Sequence, residues 1–393
     1  MPYRVGAMSS KADTTKQEPR RLTELVRLFG MLGIIGFGGP AAHIALMRRE
    51  VVDRRRWMGD REVMDLVALT SLIPGPNSTE LAMLIGRQRA GMRGLLVAGL
   101  AFIVPAAAIV LALAWAYTTF GATPAGSGLL YGIKPVVLAV VAVAVVSFAR
   151  VALGTPLAAI LAVAAAGAWA LGVNELLVLA LAATVMAIAR LRPGLTTLGV
   201  APLGAGMLGL GERLAVVDLP LLFLVFLKAG GLLFGSGYVL LAYLRGDLVE
   251  RLGWLTDQQL LDAVAIGQVT PGPLFTTATF IGYLLAGLAG ALLATAAIFL
   301  PGFVFSALIG PLASRLRDRP LTASLLDGLN AGAIGLMAVV TAQLGTSALV
   351  DPLTIALALA AVLAVTVWRA PSLLVMAVGA GAGLAATAAG IGP

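Results

Sequence analysis

A Pro-Gly-Pro triplet sits inside apolar sequence at Pro74-Gly75-Pro76 and returns inside a second apolar stretch at Pro271-Gly272-Pro273, an offset of 197 (271 − 74). Proline has no amide hydrogen and disfavours helix in the residue before it, so neither stretch can be one continuous helix. The offset holds well beyond the triplet. It pairs Gly33 with Gly230, Phe37-Gly38 with Phe234-Gly235, Arg48 with Arg245, Trp57 with Trp254, Asp60 with Asp257 and Asp65 with Asp262. After one gap it becomes 196, pairing Gly86 with Gly282, Pro105 with Pro301 and Gly132 with Gly328. Matched Trp, Asp, Arg and Pro-Gly-Pro in one order imply two homologous halves. The division expected is a polar tail at 1–21, a first repeat with a Gly-rich linker at 22–210 and a second repeat at 211–393.

The surroundings of the triplets set the solvent. Of 393 residues 60% are hydrophobic and only 12% charged, and the mean hydropathy is +0.98. Runs such as Val136–Phe148, Pro156–Leu171 and Thr354–Trp368 have no polar face to turn to water. A span needs about 20 apolar residues, which leaves room for about ten spans. The fold class expected is therefore an all-α polytopic membrane protein. The absence of Cys excludes disulfides, thiolate metal sites and cysteine nucleophiles. The net charge of +8 is read first as basic cytoplasmic loops and second as attraction for an anion. The charged N-terminal segment does not read as a cleaved signal peptide. There is no Walker A pattern, Ser/His/Asp set or metal cluster, so no enzyme activity and no cofactor is expected.

Charge also suggests topology. Arg48, Arg49, Arg54, Arg55, Arg56 and Arg61 precede the first triplet, and Arg87, Arg89 and Arg93 follow it. Positive-inside logic puts both clusters on one face, so the triplet is expected at the tip of a re-entrant hairpin. With Leu28–Met47 read as one crossing, each half has about five crossings plus that hairpin. An odd number inverts the second half, a common transporter plan. The loop 245–257 is correspondingly poor in basic residues. This scheme sends the N-terminal tail outside despite Lys11, Lys16, Arg20, Arg21 and Arg27.

Helix that resumes after each triplet points its N-terminal amides at the break, and such ends bind oxyanions. The first restarts with Asn77-Ser78-Thr79-Glu80, the second with Leu274-Phe275-Thr276-Thr277 after Thr270. Two such ends facing each other would form a donor cage; the alternative is a plain hairpin turn with capping hydroxyls. Gly38, Gly39, Gly235 and Ser236 either allow close helix packing or unwind a helix beside the substrate. Lys228, inside an apolar run, is a candidate for the oxyanion, and Lys134 either joins it or snorkels to the interface. Glu80 either carries a coupled proton or forms an ion pair with Arg87 or Lys228. His43, the single His, is expected to pack near its helix end. Asp65/Asp262, Trp57/Trp254 and Asp60/Asp257 are expected to anchor the hairpins at the membrane surface.

These residues resemble the chromate ion transporter (CHR) family of the long-chain, two-domain type. The resemblance is carried by Phe37-Gly38-Gly39-Pro40, by Arg48, Trp57 and Asp60, and by Pro74-Gly75-Pro76-Asn77-Ser78-Thr79-Glu80 leading to Gly86. Phe234-Gly235, Trp254-Leu255-Thr256-Asp257 and Gln268-Val269-Thr270-Pro271-Gly272-Pro273 carry it in the second half. It implies secondary-active chromate efflux across the bacterial inner membrane, giving chromate resistance, with sulfate competing as a similar dianion. The partners implied are the oxyanion and the lipid bilayer; a homodimer stays open, and nucleic acid is not expected. The second triplet departs from the first in having apolar Leu274-Phe275 where the first has Asn77-Ser78, so the two hairpins need not contribute equally. An exporter of another small solute and a non-transporting membrane scaffold are the competing readings, though a scaffold has no need of paired helix breaks.

Overall fold

A computed structural model describes residues 11–191, 217–233, 239–316 and 320–391, and all regular structure among them is helical. The first half contains α1 (Lys11–Ile35), α2 (Gly39–Arg48), α3 (Asp60–Thr70), α4 (Ser78–Phe120), α5 (Pro124–Ala152), α6 (Pro156–Ala170) and α7 (Glu175–Leu191). The second contains α8 (Leu219–Leu232), α9 (Leu240–Leu244), α10 (Asp257–Val269), α11 (Thr277–Leu316), α12 (Pro320–Ala348), α13 (Pro352–Thr366) and α14 (Ser372–Ala388).

Helix starts repeat with the sequence. At the start of α3 the Gly59 amide donates to the Glu62 carboxylate, and a full capping box of Thr256 and Gln259 opens α10. Thr155 caps α6 and Asp351 caps α13, each followed by Pro at the first helical position. Four stretches among the described residues are long and apolar enough to cross a membrane: Ser78–Phe120, Pro124–Ala152, Leu274–Ile309 and Pro320–Ala348. Exposed Leu96, Leu100, Val104, Leu292 and Leu300 on these spans, and Val163, Leu359 and Val378 on α6, α13 and α14, give the helices the apolar exterior that lipid requires.

Both α4 and α11 fold back on themselves. Ala90-Gly91 and Ala286-Gly287 leave helical geometry with nearly identical angles, Gly91 at φ 62, ψ −150 and Gly287 at φ 60, ψ −150. Side chains rarely adopt this conformation, so glycine is needed at both turns. Beyond each turn the arms touch backbone to backbone, Gly86 on Gly94 and Gly282 on Gly290. Each helix is thus a short arm, a tight turn and a long arm running the other way.

Five residues mark one end of the molecule. Arg48 pairs with Asp60 at 2.5 Å, and Arg89 bonds Glu24 at 2.8 Å while its guanidinium lies 4.9 Å from the centre of the Trp57 ring. The start of α3 and the end of the short arm of α4 therefore meet, with the Pro-Gly-Pro tip away from them. The sequence reading of Leu28–Met47 as a single apolar segment is corrected here. Helix α1 ends at Ile35, and α2 begins at Gly39 and returns to the end where α1 started. Gly38 at φ 103 and Gly39 at φ 75, followed by Pro40, break the helix. The N-terminal end of α1 consequently lies beside Arg89 and Arg93, the latter 3.0 Å from Glu18. That reverses the expected separation of the basic tail from the Arg clusters.

The halves interlock. Gly302 of α11 abuts Glu80, and Arg87 donates to the carbonyls of Ser306 and Ala307, both at 2.9 Å. The short arm of α4 hence runs alongside the long arm of α11, and the two long arms are antiparallel. Helix α5 packs on α13 and α14 of the other half, while α12 packs on α6 and α7. The close contacts correspond: Gly132 meets the Gly379 carbonyl, and Gly328 meets that of Ala182.

Candidate oxyanion site at the crossed hairpin tips

The two Pro-Gly-Pro tips meet the opposite halves by equivalent bonds. The Gly75 amide donates to the Leu233 carbonyl at 2.8 Å, and the Gly272 amide donates to the Gly36 carbonyl at 2.8 Å. Gly36 and Leu233 are themselves 197 residues apart, as are Gly75 and Gly272. Each tip thereby satisfies the open end of the other half's first helix, a requirement for any broken helix within lipid. Both glycines have positive φ, 141 for Gly75 and 92 for Gly272. A methyl group on Gly272 would strike Ala106, and one on Gly75 would strike the Glu80 carboxylate.

Beyond the tips the hairpins differ. In the second, Thr276 Oγ1 donates to the Pro273 carbonyl at 2.9 Å and Thr277 Oγ1 to the Leu274 carbonyl at 2.8 Å. Thr270 Oγ1 donates to the Ile266 carbonyl at 2.9 Å. These hydroxyl hydrogens are spent within the hairpin, and Pro271 and Pro273 contribute none. In the first hairpin Ser78, Thr79 and Glu80 are each at most 1% exposed, yet Ser78 Oγ, Thr79 Oγ1 and Glu80 Oε2 have no hydrogen-bond partner. Ser306 Oγ, on the helix that faces them, is likewise buried and unbonded. Asn77 opens this helix at φ 57, ψ −42, a strained backbone for a residue with a side chain. Strain and unbonded polar atoms together mark α4's start as the chemically unsaturated end.

The remaining sequence candidates sort by place. Gly38 and Gly39 form the tip between α1 and α2, next to Gly36. His43 Nε2 lies 2.8 Å from the Gly36 carbonyl, with its ring edge-on to Phe102, so it braces this tip. Gly235 and Ser236 lie outside the described residues. Lys228 sits one and a half helical turns before Leu233, held by Glu175 at 2.8 Å and Asp247 at 2.5 Å, with Arg251 on Asp247 at 3.0 Å. Lys134 reaches Asp262 at 3.0 Å, a charge contact rather than an aligned hydrogen bond, and donates to Gln258 at 2.6 Å. The Tyr117 hydroxyl donates to Asp262 at 2.8 Å. Neither ion pair considered for Glu80 forms, because Arg87 and Lys228 are engaged elsewhere. Of the surface anchors, Asp60 and Asp257 take their Arg partners in both halves, Arg245 lying 2.8 Å from Asp257.

Gly36, Leu233, Gly302 and Ser306 join the site without having been singled out as site residues. Gly302, beside Pro301, had a trace in the repeat; Leu233 and Ser306 had no chemical signal, since each acts through its backbone or its position. What the arrangement can do is hold a small anion. Amides and hydroxyls at α4's first turn supply donors, and the apolar wall around them strengthens each interaction.

A family model described as chromate transporter matches the chain twice, over residues 23–188 and 221–384, once in each half. The chain belongs to the chromate transporter family. A chromate transport protein of Cupriavidus metallidurans is 34% identical over 352 residues, 87% of this chain and 87% of that one. One from Pseudomonas aeruginosa is 32% identical over 91% of this chain and 89% of its own. A probable chromate transport protein of Synechococcus elongatus is 31% identical over 84% and 86%. No solved structure matches. Family membership and the apolar helices make this a multi-pass membrane protein, and its double match agrees with the internal repeat.

Proposed function

We propose that this chain moves chromate, or a closely similar tetrahedral oxyanion, out of the bacterial cytoplasm across the inner membrane by secondary-active transport. The substrate reading rests on the relatives named for chromate transport. The observation that carries the site is the pair of tip bonds, Gly75 to Leu233 and Gly272 to Gly36, beside the buried unbonded polar groups of Ser78 and Thr79. In this reading the two hairpins of each half are re-entrant, the halves are inverted on the strength of the antiparallel long arms of α4 and α11 rather than of an odd number of crossings, and the basic end bearing Arg48, Arg89 and Arg93 is cytoplasmic. The oxyanion is held at α4's start, with Pro74, Gly75, Pro76 and Asn77 shaping the backbone and Ser78 and Thr79 donating. The second hairpin supplies the opposing wall. Lys228 belongs to a separate ion cluster and contributes no direct contact.

Sulfate shares the charge and shape of chromate, so a donor site of this type discriminates between them only through small differences in size. The test is chromate accumulation in inverted vesicles, with and without an ionophore, with sulfate as competitor. Gradient-dependent uptake is expected. Uptake indifferent to the ionophore removes the secondary-active part, and absence of uptake removes the substrate.

A further inference from the structure

We infer that Glu80 occupies the oxyanion's place when the site is empty and yields it by taking up a proton, so that each anion bound brings one proton with it; this rests on the transport reading above. Glu80 is the third residue of α4 and 1% exposed. Its side chain folds back toward the break, against Gly75 and Gly302 and facing the backbone amides of Asn77 and Glu80. A carboxylate there stands on the same partial positive charge that an oxyanion would use.

The surroundings leave the charge uncompensated by any cation. The elements packed around this turn carry ionisable groups that include Glu24 and Arg27 on α1, His43 and Arg48 on α2, Asp60, Arg61, Glu62 and Asp65 on α3, Arg87, Arg89 and Arg93 on α4 itself, and Tyr283 on α11. Among the described residues none of these acts on the Glu80 carboxyl; the groups that do are the amides of Asn77 and Glu80 and the apolar wall. Arg87 is committed to the Ser306 and Ala307 carbonyls, Arg89 to Glu24 and Trp57, and His43 to Gly36. An ionised Glu80 and a dianion cannot share this pocket, because two like charges a few ångströms apart in an apolar site repel strongly.

Protonation resolves the conflict. The neutral carboxyl gives up its claim on the amides and gains an O–H, which becomes a further donor to the anion. The proton comes from the solution that delivers the anion and returns to solution when the anion leaves. Ser78 and Thr79, whose buried hydroxyls have no protein partner, complete the shell. Proton and anion then travel in the same direction, and chromate with one proton carries a net single negative charge.

The test uses the purified full chain in lipid nanodiscs with sulfate, whose charge is constant around neutral pH, and with chromate in parallel. Followed from about pH 6 to about pH 10, binding of sulfate to the wild-type chain should take up protons from weakly buffered solution wherever Glu80 is ionised in the free protein, and its affinity should fall there by up to about tenfold per pH unit. Glu80→Gln, which keeps shape and neutrality, should bind sulfate with no proton uptake and no pH slope. Wild-type binding without proton uptake overturns the inference whatever the variant does. Glu80→Gln with the wild-type slope overturns it too, leaving the transport reading intact. Failure of the wild type to bind either anion removes both.

Discussion

The Gly272 amide reaches 2.8 Å across the molecule to the Gly36 carbonyl, and Gly36 also meets His43 Nε2 at 2.8 Å. One carbonyl at the end of α1 thus joins the second half's hairpin tip to the first half's return helix. The tips hold each other in place, so a change at one tip is felt by both halves.

Gly272→Ala therefore tests the junction. A side chain at φ 92 and against Ala106 should cost about 1–3 kcal/mol in strain and clash and abolish transport. Gly381→Ala, where a methyl group meets open space, should leave both unchanged or gain up to about 1 kcal/mol. Thermal unfolding in detergent with parallel transport assays distinguishes them, and equal behaviour of the two variants would contradict the crossed-tip junction.

The two hairpin hydroxyl sets should respond in opposite ways. Thr79→Val removes a buried hydroxyl that has no partner, so stability should hold or rise by about 1 kcal/mol. Its oxyanion affinity should nonetheless drop about tenfold if the hydroxyl contributes ~1.4 kcal/mol to binding. Thr277→Val breaks a bond to the Leu274 carbonyl and should destabilise by about 1 kcal/mol while leaving affinity near wild type. Isothermal titration together with melting curves reads both quantities; affinity loss confined to Thr277→Val would shift the site to the second hairpin.

At the other end, Lys134, Asp262 and Tyr117 tie α5, α10 and α4 together. Lys134→Met leaves a buried carboxylate without its cation and should destabilise by about 3–5 kcal/mol. Adding Asp262→Asn should recover part of that loss, and a double-mutant cycle on unfolding midpoints measures the coupling. Strict additivity would mean that the pair is not coupled.

The topology can be mapped against a clean background because the chain contains no Cys. Single Cys replacements of Arg20, Asp53 and Arg93, all exposed, should label from one face, and those of Thr123 and Gly253 from the other. Labelling of Asp53 and Gly253 from the same face would exclude inversion; labelling of Arg20 from the face of Gly253 would exclude the α1–α2 hairpin.

Much of this was legible in residue order. The membrane setting followed from apolar runs without polar faces, and the two halves followed from the 197-residue offset, because both are properties of the chain itself. The Pro-Gly-Pro breaks were equally plain, since proline removes donors wherever it stands. Pairing was not. Lys228 read as a lone intramembrane cation, but Glu175, 53 residues away, and Asp247 neutralise it, and only the packing of helices brings them together. Thr276 and Thr277 read as donors toward a substrate, whereas local carbonyls claim their hydrogens. The glycines at 36–39 could have packed or unwound a helix. They turned the chain back, and that choice was made by the Gly272 amide and by His43, which come from outside the segment. Composition and periodicity determine which solvent a helix can face and where it must break. The tertiary structure decided which polar atoms stay unbonded at the break, because a hydrogen bond depends on where its partner stands in space.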